Sequence, residues 1–265
     1  MTEPKRNYVN GEWVAAESGD TVDVENPADT SEVVNTYPAS SAADAEAAIE
    51  AADTAQDEWG AMPAPDRGAI LRETGAILEE RKEELTELLS REEGKTLSEA
   101  APEVQRAIDI FYYYAEKAFD FGGTLKGASG GRTSVSTRKE PIGVAGLITP
   151  WNYPVAIPAW KIAPALATGN AVVIKPATQA PGPAHEIARA LDEVILPAVA
   201  AHRPPGRARR RHEKLDPKPG EGGRQGGGRG GDRICGGRGG SPGVGAGHWQ
   251  VDQQRPTPRP TADPE

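Results

Sequence analysis

Residues 149 to 178 read TPWNYPVAIPAWKIAPALATGNAVVIKPAT, an apolar stretch in which one amide, Asn152, stands between two aromatic residues and two prolines. A side-chain amide fixed at the end of a buried strand can donate a hydrogen bond to an oxyanion that develops during a reaction. The same amide could instead cap the following helix or close a turn. Spacing alone favours this second, structural role.

A second polar residue, Lys175, ends the apolar run NAVVIK. At the carboxyl end of a parallel strand its ammonium could bind a ribose hydroxyl or a phosphate, and elsewhere it would be a surface lysine. No glycine-rich fingerprint accompanies it, because GVAG at residues 143–146 is not G-x-G-x-x-G and no G-x-x-x-x-G-K-[ST] occurs. Lys175 alone is therefore a weak indication of a nucleotide site.

The segments around these two residues alternate between strand and helix patterns. PIGVAGLITP and NAVVIKPA predict buried parallel strands. VAIPAWKIAPALATG, which ends at Gly169, and PGPAHEIARALDEV, which opens with proline, predict helices. Strand, helix, strand, helix with short connections indicates an α/β fold with part of a doubly wound, Rossmann-like parallel sheet, whose ligands bind beyond the carboxyl ends of the strands. Asn152 and Lys175 are both expected at such ends.

An antiparallel and helical lead-in precedes this sheet. NYVNGEWV, DTVDVENP and EVVNTYP are short extended pieces separated by turn residues, and Ser41 is expected to begin the first helix. Apolar spacing predicts one long helical region through residues 66–100 and another over residues 101–121. In the latter, a stripe is expected to pack in the core: Ile108, Phe111, Tyr112, Ala115 and Phe119.

Composition limits the class of protein and its compartment. No apolar run approaches the roughly 18 residues of a membrane helix, the N-terminus has no signal-peptide pattern, and Cys235 is the single cysteine. We therefore expect a cytoplasmic protein with no membrane association and no metal site. Residues 1–193 carry a net charge of -15 and residues 194–265 carry +6. The acidic part is either an ordinary solvated surface or a halophilic adaptation to high salt, and it makes nucleic acid an improbable partner.

Residues 194–265 have a different composition from the rest of the chain. Glycine and proline together make up 26 of these 72 residues, which predicts a disordered, low-complexity tail. Two explanations stay open. The Arg-Gly runs could bind RNA, but they lack regularly interleaved aromatic residues. A shifted reading frame is favoured, because a one-base slip in GC-rich DNA turns Ala, Asp, Glu and Val codons into Arg, Gly and Pro codons.

Taken together, the motifs resemble the aldehyde dehydrogenase superfamily. The resemblance covers residues 7 to about 193 and is carried by NGEWV, NPADTSEVV, EEGKTLSEA, EPIGVAGLITPWNYP and IAPALATGNAVVIKPAT. It implies an NAD(P)-dependent oxidation of an aldehyde through a cysteine thiohemiacetal, in which Asn152 is catalytic and donates to the oxyanion. The resemblance also implies a homo-oligomer in intact members. The run from residue 154 to residue 177 is closest to semialdehyde dehydrogenases, such as those acting on 2,5-dioxopentanoate (α-ketoglutarate semialdehyde) or succinate semialdehyde.

The same resemblance implies a set of residues that bind NADP or NAD: Ile148, Thr149, Pro150, Trp151, Lys175, Pro176, Ala177 and Thr178. NAD-preferring members often carry a glutamate three residues after the lysine, where this chain has Thr178. A small neutral residue there would not repel a 2′-phosphate, so we expect NADP to be accepted or preferred.

The family pattern stops where the composition changes. The glycine motif, catalytic glutamate, catalytic cysteine and substrate-binding domain should follow residue 193, and none is recognisable; Cys235 has an unsuitable context. We therefore expect residues 1–193 to be a truncated cofactor-binding domain, residues 194–265 to be a frameshifted tail, and the chain as given to be inactive. The alternatives are a non-catalytic subunit that pairs with an intact homologue through RTSVSTRKEP, or an RNA-binding protein.

Overall fold

A computed structural model describes residues 3–128 and 134–201, with side chains described as far as residue 195. The described chain folds into eight strands and six α-helices. The strands are β1 Asn7–Val9, β2 Glu12–Val14, β3 Thr21–Asn26, β4 Asp29–Pro38, β5 Leu125–Gly127, β6 Ser134–Ser136, β7 Val144–Ile148 and β8 Ala171–Lys175. The helices are α1 Ala42–Ala61, α2 Ala64–Glu80, α3 Lys82–Glu93, α4 Leu97–Lys117, α5 Ala156–Ala167 and α6 Gly182–Ala201.

The predicted antiparallel lead-in is present as two hairpins. β1 pairs with β2 around a tight turn in which Asn10 and Gly11 both have positive φ, as two-residue hairpin turns require. β3 pairs with the longer β4, with a change of register near Glu25. Ser41 caps α1 in a capping box with Asp44, so the predicted start of the first helix is confirmed.

The region predicted to be helical over residues 66–100 is helical, but two breaks divide it into parts of three helices. α2 ends at Glu80, and α3 begins after Arg81. α3 then ends at Gly94, whose φ of 89° lies in the left-handed region that glycine adopts without strain. Thr96 and Glu99 form a capping box that begins α4. Apolar periodicity continues across both breaks, so the sequence pattern did not predict where one helix ends and the next begins.

The core lies where α2, α3 and α4 pack against one another and against α5 and α6. Its largest fully buried apolar side chains include Phe111, Leu71, Leu78, Leu89, Ile108, Ile187 and Val104. The predicted core stripe of α4 is confirmed for its buried members Ile108, Phe111 and Ala115. It is wrong for Phe119, which is 63% exposed because α4 has already given way to a short 3-10 turn over Ala118–Asp120.

The second half of the described chain contains the α/β unit. β5 and β6 form a small antiparallel pair, and β7 and β8 pair in parallel through the crossover helix α5. α5 is followed by Gly169 with a φ of 89°, and α6 begins at Gly182 after Pro181, both near the predicted positions. α6 continues to Ala201, beyond residue 193, where the composition changes.

The fold is therefore mixed α/β, with one parallel strand pair in the described part. The prediction that β7 is buried is wrong: Ile148 is 78% exposed, and nearby Ile142 is fully exposed. β7 is hydrogen-bonded to β8 alone among the described strands, which leaves one of its edges and part of its surface uncovered. The predicted disordered tail and Cys235 lie outside the described residues.

A buried arginine of α2 links the α/β unit to the helices that precede it. From α2, the side chain of Arg67 donates from Nε to the carbonyl oxygen of Ala167 at 3.2 Å and from Nη1 to that of Met62. The first bond satisfies a carbonyl at the end of α5 that the helix itself leaves free, and the second satisfies the carbonyl of the residue that follows α1. Burial lowers the pKa of Arg67.

The first strands dock onto α6 through side chains distant in sequence. Trp13 Nε1 donates to Asp192 Oδ2 at 2.8 Å, and the Trp13 ring lies 4.8 Å from the imidazole of His185. From β4, the hydroxyl of Tyr37 donates to Glu92 Oε1 at 2.5 Å. Glu92 also accepts from the backbone N–H of Gly182 at 2.8 Å, which ties the N-terminus of α6 to α3. These contacts attach the two hairpins to α3 and α6.

None of the helices in the described residues is both long and apolar enough to traverse a membrane.

Candidate functional site

The two predicted strand ends lie side by side. Ile148, the last residue of β7, is the partner of Lys175, the last residue of β8. The backbone N–H of Thr149 donates to the carbonyl oxygen of Lys175 at 3.3 Å, so the pairing continues one residue beyond β7. The chain segments that leave the two strands therefore begin at one edge of the sheet, which is where parallel sheets bind ligands.

Most of the predicted site residues at this edge face outward. Ile148 is 78% exposed and Trp151 is 59% exposed. The same exposed class contains Pro150, Asn152, Lys175 and Thr178. An open surface with a cation and an aromatic face suits a dinucleotide, which offers both phosphate charge and flat rings.

Three predicted residues are not exposed. Ala177 is buried and Pro176 is half-buried, so these two support the turn after β8 instead of facing outward. Thr149 is 4% exposed, and its Oγ1 has no hydrogen-bond partner among the described residues. A buried hydroxyl without a partner is uncommon in folded proteins. Among the predicted site residues, Thr149 is therefore the one whose side chain has a buried polar atom without a hydrogen bond in the described part of the chain.

A groove of about 550 Å³ runs beside the edge and brings two predicted residues together. Trp151 and Thr178 line one side of it, with Gln179 next to Thr178. β3 and the end of α3 form the other side and contribute Asp23, Glu25, Glu92 and Glu93. The lining does not include Asn152 or Lys175, so the predicted residues divide between the strand edge and this groove.

Two charged residues that were not predicted from the sequence bind the backbone of the turn that carries Asn152. Lys95 Nζ donates to the backbone carbonyl oxygen of Asn152 at 3.1 Å and forms an ion pair with Glu103 at 2.5 Å. The other carboxylate oxygen of Glu103 accepts from the backbone N–H groups of Val155 at 3.1 Å and Ala156 at 3.2 Å. The backbone from residue 152 to residue 156 is thus bound at both ends.

Two carboxylates near this turn have shifted acidity. Burial raises the pKa of Glu93, and the ammonium of Lys95, 3.7 Å away, partly opposes that rise. Burial likewise raises the pKa of Glu92, against the opposing hydrogen bonds from Tyr37 and Gly182. For both carboxyl groups, burial therefore disfavours the charged form.

The sequence shows that Lys95 and Glu103 stand at unusual positions, but it does not show which residues they contact. Lys95 follows Gly94 in EEGKTLSEA, and Glu103 stands among apolar residues on the buried side of a helix. A charged residue on a buried helix face requires a partner. Sequence spacing does not reveal that the partners of Glu103 are Lys95 and the start of α5, about 50 residues later.

The sequence profile described as "Aldehyde dehydrogenase family" matches residues 13–219, which is more than half of the chain. The chain belongs to the aldehyde dehydrogenase family. This confirms the resemblance seen in the motifs, and the profile match extends past residue 193, where those motifs stop. Members of the family are oxidoreductases.

Individual proteins agree with the family assignment. The chain is 64% identical over 197 residues to the α-ketoglutarate semialdehyde dehydrogenase of Haloferax volcanii, a match that covers 74% of this chain and 41% of that protein. An NADP-dependent enzyme of E. coli superposes with a TM-score of 0.70 at 34% identity, covering 72% of this chain and 40% of the other. A variant of Staphylococcus aureus betaine aldehyde dehydrogenase in complex with NAD+ gives 0.69 at 36% identity, covering 72% and 39%.

The chain spans about two fifths of the length of these relatives. The predicted similarity to α-ketoglutarate semialdehyde dehydrogenases is confirmed by the Haloferax protein. The E. coli enzyme is NADP-dependent and the Staphylococcus aureus enzyme was solved with NAD+, in agreement with the NAD(P) cofactor that the resemblance implied.

Proposed function

We propose that residues 1–193 are the cofactor-binding part of an NAD(P)-dependent semialdehyde dehydrogenase whose substrate is α-ketoglutarate semialdehyde. The observation that carries the proposal is the exposed amide of Asn152, fixed beside the paired ends of β7 and β8. The 64% identity to the Haloferax volcanii enzyme supports this choice of substrate. In the cytoplasm of a halophile, the acidic surface of this part would keep the protein soluble at high salt.

Asn152 would donate a hydrogen bond to the oxyanion that forms when a thiolate adds to the aldehyde carbonyl. An amide on a fixed backbone needs no reorganisation as the charge develops, which is why such donors lower the barrier. Lys175 would bind the ribose or its phosphate, and Thr178 would leave room for a 2′-phosphate. Ile148, Thr149, Pro150 and Trp151 would line the surface against which the cofactor lies.

The residues present suit NAD(P). Thr149 Oγ1 is a buried hydroxyl without a partner in the described part of the chain, and Lys175 is an exposed cation at the same edge. When bound, the cofactor supplies the acceptor for the hydride that the aldehyde carbon loses. The contribution of this chain is to hold the dinucleotide and to keep the oxyanion donor in place.

The chain as given is proposed to be inactive, because a thiolate and a general base are both required and neither is recognisable after residue 193. We attribute this to a shifted reading frame over residues 194–265. Resequencing the gene from the codon of Leu191 and translating all three frames tests the attribution. A second frame containing the glycine, glutamate and cysteine motifs is expected, and its absence would contradict the frameshift.

The catalytic proposal is tested in a chimera that joins residues 1–193 to the remaining part of the Haloferax volcanii enzyme. We expect the chimera to oxidise α-ketoglutarate semialdehyde, and Asn152→Ala to lower its kcat by about 10²–10³-fold. Asn170→Ala is the matched control, since Asn170 is a half-buried amide whose described hydrogen bonds go to Ala165 and Thr168 at the end of α5 and to the backbone N–H groups of residues 142 and 143. An Asn152→Ala chimera with unchanged kcat would refute the role of Asn152.

A further inference from the structure

The α3–α4 connection is fixed on both sides of one lysine. Gly94 ends α3 with a left-handed backbone, and Thr96 begins α4 with a capping box. Between them, the carbonyl oxygen of Lys95 accepts from Ser90 Oγ at 2.8 Å, and the N–H of Lys95 donates to Glu93 Oε2 at 3.2 Å. The backbone of Lys95 therefore has little freedom, and its side chain leaves from a fixed point.

The ammonium of Lys95 is directed at the turn that carries Asn152. It donates to the backbone carbonyl of Asn152 at 3.1 Å, and it lies 4.7 Å from the ring centroid of Tyr153, a cation–π distance. Its ion pair with Glu103 Oε2 measures 2.5 Å. The side chains of Lys95 and Glu103 are 14% and 2% exposed, so their ion pair is largely shielded from water.

Glu103 serves as the cap that α5 does not have. The N-cap residue of α5, Val155, has no side-chain hydrogen bond to the first turn of the helix. Glu103, which is 4% exposed, accepts instead from the free N–H groups of Val155 and Ala156. A negative charge at a helix N-terminus is favourable, and a buried carboxylate is tolerated only when both of its oxygens are satisfied. Here one oxygen binds the helix start and the other binds Lys95.

We infer that Lys95 and Glu103 are positioning residues for Asn152. Lys95 holds the carbonyl at the start of the turn and Glu103 holds the N–H groups at its end, so the amide of Asn152 is presented from an immobile backbone. The inference rests on the oxyanion role proposed above, because a fixed amide matters for rate only if it meets the developing charge.

The first test uses the full 265-residue chain and measures backbone hydrogen exchange. The double variant Lys95→Met with Glu103→Gln removes both members of the buried ion pair together, so the carboxylate of Glu103 is not left without its cation. Glu93, the other carboxylate near Lys95, has 16% of its side chain exposed. We expect exchange at Val155 and Ala156 to rise by about tenfold. Exchange at Ile108 and Phe111, in the core part of α4, should not change. Glu116→Gln is the control, because Glu116 is an exposed carboxylate on the same helix.

The pattern of exchange decides whether these residues hold the turn. Unchanged rates at Val155 and Ala156 would overturn the inference. An equal rise in exchange at Ile108 and Phe111 would also overturn it. Lys95 and Glu103 would then stabilise the fold as a whole and would have no specific effect on the turn. Lys95→Arg keeps the positive charge beside Glu103 and should retain slow exchange.

The second test measures kinetics in the chimera. The double variant should lower kcat by up to about 10²-fold, with the KM for NADP unchanged, once kcat is corrected for the folded fraction. Lys95→Arg should recover most of the activity. If Asn152→Ala inactivates the chimera and the double variant does not, the positioning inference fails while the proposed function stands. If Asn152→Ala has no effect, the proposed function fails, and the exchange measurement still judges whether the pair holds the turn.

Discussion

Gly94, which ends α3 with a φ of 89°, lies directly against the ring of Pro27. A Cβ atom on Gly94 would stand 2.7 Å from Cγ of Pro27, well inside van der Waals contact. Gly19 has a similar φ of 73°, but a Cβ there would meet nothing within 4 Å. Alanine substitutions at the two glycines therefore distinguish two free-energy costs, that of a left-handed alanine and that of a clash with Pro27.

We expect Gly19→Ala to lower the free energy of unfolding by about 1–2 kcal/mol, the cost of a left-handed alanine. Gly94→Ala should cost at least about 1 kcal/mol more, because the loop carrying Pro27 must move. Urea unfolding of both variants, followed by circular dichroism, measures the difference. Equal losses for the two would show that the Pro27 loop yields freely.

The pH dependence of stability should include a contribution from Glu186. Burial raises the pKa of this carboxyl, but the imidazole of His185 at 3.6 Å and the charges of Arg189 and Lys5 bring it below its ordinary value of 4.5. A carboxylate whose pKa is lower in the folded state stabilises the protein above the unfolded pKa, and this stabilisation is lost as pH falls through the folded pKa.

Glu186→Gln should therefore destabilise the protein at about pH 7, and the difference from the unmodified chain should shrink as pH falls below about 4.5. Unfolding by urea at several pH values measures this difference. Glu87→Gln, an exposed carboxylate on α3, is the control and should show no comparable trend. A Glu186→Gln difference that grows toward low pH would contradict the prediction.

Cofactor preference should respond to charge at residue 178. Thr178→Glu in the chimera should lower kcat/KM for NADP by about tenfold or more and leave kcat/KM for NAD largely unchanged, because a carboxylate repels a 2′-phosphate. Gln179→Glu is the matched control, since it adds the same charge one residue further along the same groove. An equal loss with NADP in both variants would assign the effect to the general charge of the groove.

The docking of the first hairpin should depend on one hydrogen bond. Trp13→Phe keeps one aromatic ring but removes the N–H whose hydrogen bond Asp192 accepts, together with part of the indole surface, and we expect a loss of about 1.5–3 kcal/mol in the free energy of unfolding. Trp160→Phe is the control, because Trp160 is 43% exposed on α5. A loss for Trp13→Phe no greater than that for Trp160→Phe would show that this hydrogen bond does not contribute measurably to stability.

Local signals predicted much of the fold. The turn at Asn10 and Gly11, the cap at Ser41 and the order β7, α5, β8, α6 all follow from short-range chemistry, and the structure contains each of them. Apolar periodicity failed at Arg81 and Gly94, because two helices that bury the same side leave a continuous pattern. It also failed for the burial of β7, since burial depends on neighbours that a strand's own sequence does not specify.

The site was predictable only where one segment contains it. Asn152 and Lys175 follow apolar strands, so their position at one edge could be predicted from strand order. The Lys95 and Glu103 pair could not, because its contacts join α4 to a turn about 50 residues later and depend on how the helices pack. The division of the groove between β3 and the segment after β8 is likewise a property of packing.

The bond between Trp13 and Asp192 joins residues 179 positions apart, and this has a consequence for how the protein is made. At about 5–20 residues per second, the ribosome needs about 10–40 s to synthesise that intervening segment. During this time the first hairpin lacks its contacts to α6, although its turn and its bond from Asn7 to Ser40 can form earlier. The part of the chain that is synthesised first therefore completes its contacts last, and any change that delays α6 leaves Tyr8 and Trp13 exposed on the nascent chain.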